Sequence, residues 1–135
     1  MPTHARICAG VFASLLLLSA SAAAQQAAPP PPAGFDIKTL ASIDLGPELA
    51  GMQGRVLRMS YVTVAPGSAM AAHPHKERPE IIYVVQGTLT EQRNDEPAKD
   101  HGPGSVLVMT GTVTHAISNR SNAPAIYIAA PIAKQ

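Results

Sequence analysis

Short runs rich in Val, Ile, Thr and Tyr fill the chain from Phe35 onward, separated by Gly, Pro and Asn-Asp breaks, and no long stretch keeps helical periodicity. The pattern predicts strands over 55–64, 80–85, 88–93, 105–109, 113–118 and 125–129. Turn chemistry bounds them. Ala65-Pro66-Gly67 closes the first, Gln86-Gly87 parts the second from the third, Asn94-Asp95 turns the third back, and Gly102-Pro103-Gly104 opens the fourth. The class is all-β, and about 100 residues of strands at this spacing suit a sandwich or a barrel with protected edges.

The first residues follow a different pattern. A start carrying Arg6 leads into an apolar run from about Ile7 to Leu18, then into small residues ending at Ala22-Ala23-Ala24. This is the form of a secretory signal peptide, residues 1–24, and the run falls short of the ~20 residues that a spanning helix requires. Removal at Ala24 implies a periplasmic or secreted protein with no membrane span after cleavage. A lone arginine, rather than a twin pair, implies export in the unfolded state and metal loading outside the cytoplasm. Residues 25–34 hold four consecutive prolines and read as an extended Pro/Ala-rich linker, which leaves 35–135 as one domain.

Composition narrows the partners. Of 135 residues, 46% are hydrophobic and 14% charged, enough to bury a core and too little charge for a disordered chain. Ten Lys and Arg against nine Asp and Glu give +1 with no basic run, which excludes electrostatic attachment to nucleic acid or to an anionic membrane. The absence of tryptophan argues against a stacking platform for nucleobases. A small-molecule ligand or substrate fits better. The single cysteine, Cys8, lies in the signal peptide, so a metal must be held by His, Asp or Glu.

Four of the five histidines lie in the body of the chain. His73 and His75 flank Pro74, and alternate residues on an extended strand face one side, so both imidazoles can enter one cavity. Pro74 cannot donate to a ladder, which places it on an edge or bulged segment. Glu80 opens the apolar run Ile81-Ile82-Tyr83-Val84-Val85, where an ionised carboxylate needs a cation or donor to match it. His115 shares the apolar face of Val113 and Ile117 and points inward. Three imidazoles and a carboxylate converging there suit Fe, Mn, Ni, Cu or Zn as one divalent ion, and suit calcium poorly. His101, between Asp100 and Gly102, reads as an exposed turn residue with no part in the site.

These residues carry a resemblance to the cupin superfamily. Gly67, five residues, His73, one residue, His75, four residues, Glu80, six residues and Gly87 match the first cupin motif without a gap. The second motif is similar but altered: Gly104, then Thr110 where proline is usual and Thr112 where glycine is usual, then His115 and, after three residues, Asn119. The resemblance spans roughly residues 55–130 and implies a double-stranded β-helix, or jelly-roll, barrel of the small single-domain type. It also implies that His73, His75, Glu80 and His115 are metal ligands, that Gly67 and Gly87 serve turns, that Asn119 is structural, and that the chain forms a homodimer.

Such a site leaves one or two open positions on the ion, where an oxygen ligand could bind. What the resemblance implies is a metal-dependent, dioxygenase-like oxidoreductase acting on a small oxygenated organic molecule, with Glu80 as ligand or catalytic base. A noncatalytic small-molecule or metal-binding protein and a metal-dependent isomerase or lyase remain open beside it. Tyr61, Met70, Gln86, Met109 and Tyr127 stand, by position, either along the cavity or in the core.

Overall fold

Nine strands and no helix make up residues 31–135, the part of the chain that the computed structural model describes. The expected signal peptide, residues 1–24, and residues 25–30 of the expected linker lie outside the described residues. In chain order the strands are β1 (Phe35–Asp44), β2 (Arg55–Val64), β3 (Ala69–Pro74), β4 (Glu80–Gln86), β5 (Leu89–Arg93), β6 (Lys99–His101), β7 (Val106–Met109), β8 (Thr114–Ser118) and β9 (Ala125–Lys134). Neighbours pair antiparallel in two sheets, one ordered β1-β2-β9-β4-β7 and the other β3-β8-β5-β6. The sheets face each other as a double-stranded β-helix barrel.

Between them lies a core in which Val62, Val64, Ile82, Val84, Leu89, Leu107 and Ile117 are almost wholly buried. Burying each such side chain contributes about 1.5–3 kcal/mol relative to leaving it exposed. The alternation that predicted the strands is the alternation that fills the core: on β4, Glu80, Ile82 and Val84 face inward while Ile81 and Tyr83 face out. The outward face of the five-stranded sheet is also apolar, with Met59, Ile81, Tyr83, Val85, Val106 and Val108 all substantially exposed.

β2 matches its predicted span, and β4, β5, β7 and β8 match within a residue at each end. Three strands had no sequence signal strong enough. On β1 only Phe35 is buried, and a register shift between Thr39 and Ala41 breaks the alternation at Leu40. β6 is three polar residues held against β5, and β3 is mostly alanine with a terminal proline. β3 forms an edge of its sheet and carries a register shift between Met70 and His73, the setting Pro74 requires. β9 runs five residues past its predicted end because Pro131 does not stop it. The ladder to β2 pairs Leu57 with Ile132 and then Ser60 with Ala129, passing over the residue that lacks an N–H.

Two anchors lock strand ends around the barrel, one after β8 and one between the start of β1 and the end of β2. The Asn119 side chain is fully buried and donates from Nδ2 to the Val64 and Ala123 carbonyls at 3.0 and 2.7 Å. Its Oδ1 accepts from the Ser121 N–H and hydroxyl. At the other end of the linker stretch, residues 32–34 turn onto the barrel, where the Gly34 carbonyl accepts the Ala65 N–H at 2.8 Å.

Gly87 turns β4 into β5 at φ +73, and a Cβ there would lie 2.7 Å from the Pro124 oxygen and 2.8 Å from Ala125 Cα. Both are backbone atoms that cannot swing aside. Left-handed strain adds to the clash, so Gly87→Ala should cost about 3 kcal/mol. Urea unfolding should show a lower midpoint at an unchanged slope, and a wild-type midpoint would contradict this packing.

Candidate metal centre

His73 on β3 pairs directly with His115 on β8, and His75 follows β3 with its N–H donated to the Val113 carbonyl at 2.9 Å. Alternation carries both odd-numbered imidazoles of the His-Pro-His segment inward, while Pro74 points away. The altered turn before His115 is closed by the Val113 N–H on the Thr110 carbonyl, with the Thr110 and Thr112 hydroxyls 3.0 Å apart. The three rings stand 4.7 to 5.2 Å apart between centroids. One nitrogen from each lies within 4.8 Å of the others.

The second ring nitrogen decides what these three can do. Nδ1 of His73 donates to the Ala71 carbonyl at 2.9 Å, Nδ1 of His75 to the Arg78 carbonyl at 3.1 Å, and Nδ1 of His115 to Glu91 at 3.0 Å. With each Nδ1 carrying the proton, each Nε2 presents a lone pair. The Nε2 atoms of His75 and His115 sit 2.9 Å apart in a buried setting, so two acceptors face each other. Either a shared proton or a cation must lie between them. Burial pushes the His75 ring down to about 4, with the Arg78 charge and its neighbouring imidazoles adding to the effect. His73 is lowered as well, first by burial. Burial thus disfavours a proton on His75, and the donor set fits a divalent first-row transition ion.

Glu80 is buried at the start of β4, with its Oε2 3.5 Å from His75 Nδ1 and 3.7 Å from Arg78 Nη2. The structure places it beside the imidazole cluster, on the wall of the same cavity, rather than within the group of three converging nitrogens. Burial raises its pKa despite the opposing Arg78 charge.

Glu91 is the residue that sequence reasoning missed. It is buried on β5 and binds His115 Nδ1 with Oε1, which also accepts from Arg93 at 3.1 Å. Its other oxygen meets His101 Nε2 at 3.2 Å. Burial pushes the Glu91 carboxyl up, but the hydrogen bonds from His115 and Arg93 outweigh it and hold it below the usual range. His101 is thus not an uninvolved turn residue: it ends β6 and braces the carboxylate that orients His115. The signal was available in part, since Glu91 shares the inward face of Leu89 two residues before it, as Glu80 shares that of Ile82.

Next to the imidazoles is a cavity of about 150 Å³ lined by both sheets. Arg58, Ser60 and Tyr127 line it together with Arg78, Glu80, His73 and His115. Of the five positions weighed for this role, Met70 and Tyr127 reach it. Met109 is packed in the core, Gln86 faces out, and Tyr61 lies on the opposite side of β2 from the inward Ser60 and Val62. Burial, then the nearby Glu80 charge, raises the Tyr127 phenol, which keeps its proton.

The sequence profile of the family described as cupin domain matches residues 60–131. The chain is 28% identical over 67 residues to the tetracenomycin polyketide synthase protein TcmJ of Streptomyces glaucescens. That match covers 50% of this chain and 44% of that protein, so the chain spans less than half the length of this relative. Among solved structures, the cupin domain of an XRE family transcriptional regulator from Enterobacter cloacae superposes with a TM-score of 0.58 at 19% identity, covering 76% of this chain and 99% of that one. KdgF from Halomonas sp. gives 0.55 at 21% identity, covering 73% and 82%. These likenesses establish the fold.

A ring that resists protonation links folding to pH. Below pH 6.5 the unfolded chain protonates His75 while the folded metal-free protein does not, so stability falls as pH drops from 6.5 to about 4. The loss is on the order of 2–3 kcal/mol. Glu80 acts in the opposite sense and Glu91 adds to the loss below its ordinary range, so the comparison that isolates His75 is with His75→Gln. Urea titrations of the metal-free proteins should give a steep slope in the wild type and a shallower one in the variant. Equal slopes would mean that His75 is not held neutral by burial.

Proposed function

The chain belongs to the cupin domain family, and on that premise we propose that it is an exported, metal-dependent enzyme of dioxygenase-like type acting on a small oxygenated organic molecule. The observation that carries the reading is the convergence of three Nε2 lone pairs whose Nδ1 partners are already fixed. His73, His75 and His115 would hold the ion, with Glu80 on the wall of the same cavity beside His75. A bound first-row ion would supply Lewis acidity and, if redox-active, access to O₂.

The protein's own groups define what can happen beside it. The cavity admits an occupant on the scale of a single small ring, so bulky polycyclic substrates are poorly suited. Tyr127 offers a phenol that stays protonated and can donate. Glu80 holds a proton more readily than a surface carboxylate and can exchange one with the occupant. That last property also favours a second reading, an isomerase or lyase in which Glu80 moves a proton.

Elemental analysis should find about one first-row metal per chain in the wild type and its loss in His75→Ala. Oxygen uptake by the loaded protein with small catechols and 1,3-diketones should exceed that of the variant by at least ~100-fold. Metal without oxygen uptake, but with isomerised or eliminated product, would favour the second reading. Tight ligand binding with no turnover would make the protein a noncatalytic binder, and absence of metal would overturn all metal-dependent readings.

A further inference from the structure

Arg58 has a polar group where the alternation of β2 calls for an apolar one. Val56, Ser60, Val62 and Val64 all face inward, and Arg58 shares their side of the strand and lines the cavity. Among the described residues no carboxylate forms an ion pair with it. Arg78 lines the same cavity, and its nearest carboxylate, Glu80, stands at 3.7 Å, beyond a good hydrogen bond. Two guanidinium groups against one carboxylate leave the cavity cationic even with neutral imidazoles and no ion. A half-buried guanidinium without a counter-charge is costly, and its planar fork matches a carboxylate bidentately.

We infer that the cavity selects a small organic carboxylate, with Arg58 as the residue that recognises the acid group and Arg78 assisting it. The imidazole wall belongs to β3 and β8, whereas Arg58 comes from β2 on the facing sheet, so the ligand's acid end and its opposite end meet different walls. The inference deepens the proposed function and rests on it only for what the opposite end meets; the acid end depends on the arginines alone. A cavity of about 150 Å³ limits the acid to about the size of a single small ring. A phosphate dianion is less suited, because Glu80 shares the space.

Calorimetry on metal-free and metal-loaded protein, with glycolate, malonate, their neutral amides and inorganic phosphate, tests this. The acids should bind both forms, the amides should bind at least ~10-fold more weakly, and Arg58→Gln should weaken the acids ~10-fold or more while metal stoichiometry stays at the wild-type value. Arg58→Lys should recover part of the loss. Equal binding of amides and acids, an unaffected Arg58→Gln, or tighter binding of phosphate would overturn the assignment. Arginine-dependent acid binding to a protein that takes no metal would retain this inference while removing the metalloenzyme reading.

Discussion

Two ring nitrogens facing each other across 2.9 Å, each with its partner nitrogen already donating elsewhere, call for a positive charge between them. Nothing local to His75 or His115 can relieve it by turning over the rings. A flip would put a carbon where the Arg78 carbonyl or the Glu91 carboxylate now finds its donor. The second nitrogens therefore fix the first ones, and the affinity of the site is set as much by three oxygen acceptors as by three ligands. In such a site the free energy of ion binding is also free energy of folding, because the unfolded chain holds none of the rings in place.

The two sheets divide this work. β3 and β8 lie side by side and bring the imidazoles together, and β5 pairs with β8 to set Glu91 behind His115. Across the cavity, β2, β4 and β9 supply Arg58, Ser60, Glu80 and Tyr127. One wall holds the donors and the other meets whatever enters. Arg93 and the His115 hydrogen bond compensate Glu91, so its carboxyl is held low without drawing on the arginines that line the cavity.

Much of this was legible before any coordinates. A His-Pro-His segment requires no knowledge of topology to bring two rings to one side, and His115 betrayed its direction through Val113 and Ile117. The strands with strict alternation were found nearly to the residue, because period two is the direct print of a one-sided core. What failed to show were features that depend on the partner strand. β6 exists because β5 is there to hold it, Pro131 is tolerated because the neighbouring ladder passes over it, and His101 matters because folding carries Glu91 to it. Arg58 and Glu91 were visible as polar residues at inward positions, but their significance needed the knowledge of which cavity they border.

The order of strands in the five-stranded sheet has a consequence for how the molecule is made. β9, from the last stretch of the chain, inserts between β2 and β4 and is hydrogen-bonded to both. Until the ribosome has released residues 125–134, the sheet is split into two ribbons with no shared ladder, and the wall facing the imidazoles does not exist. The imidazoles of His73 and His75 thus have no facing wall until that last-made strand is added. Closing the five-stranded sheet therefore depends on pairings between distant parts of the chain, which slows folding relative to local pairing.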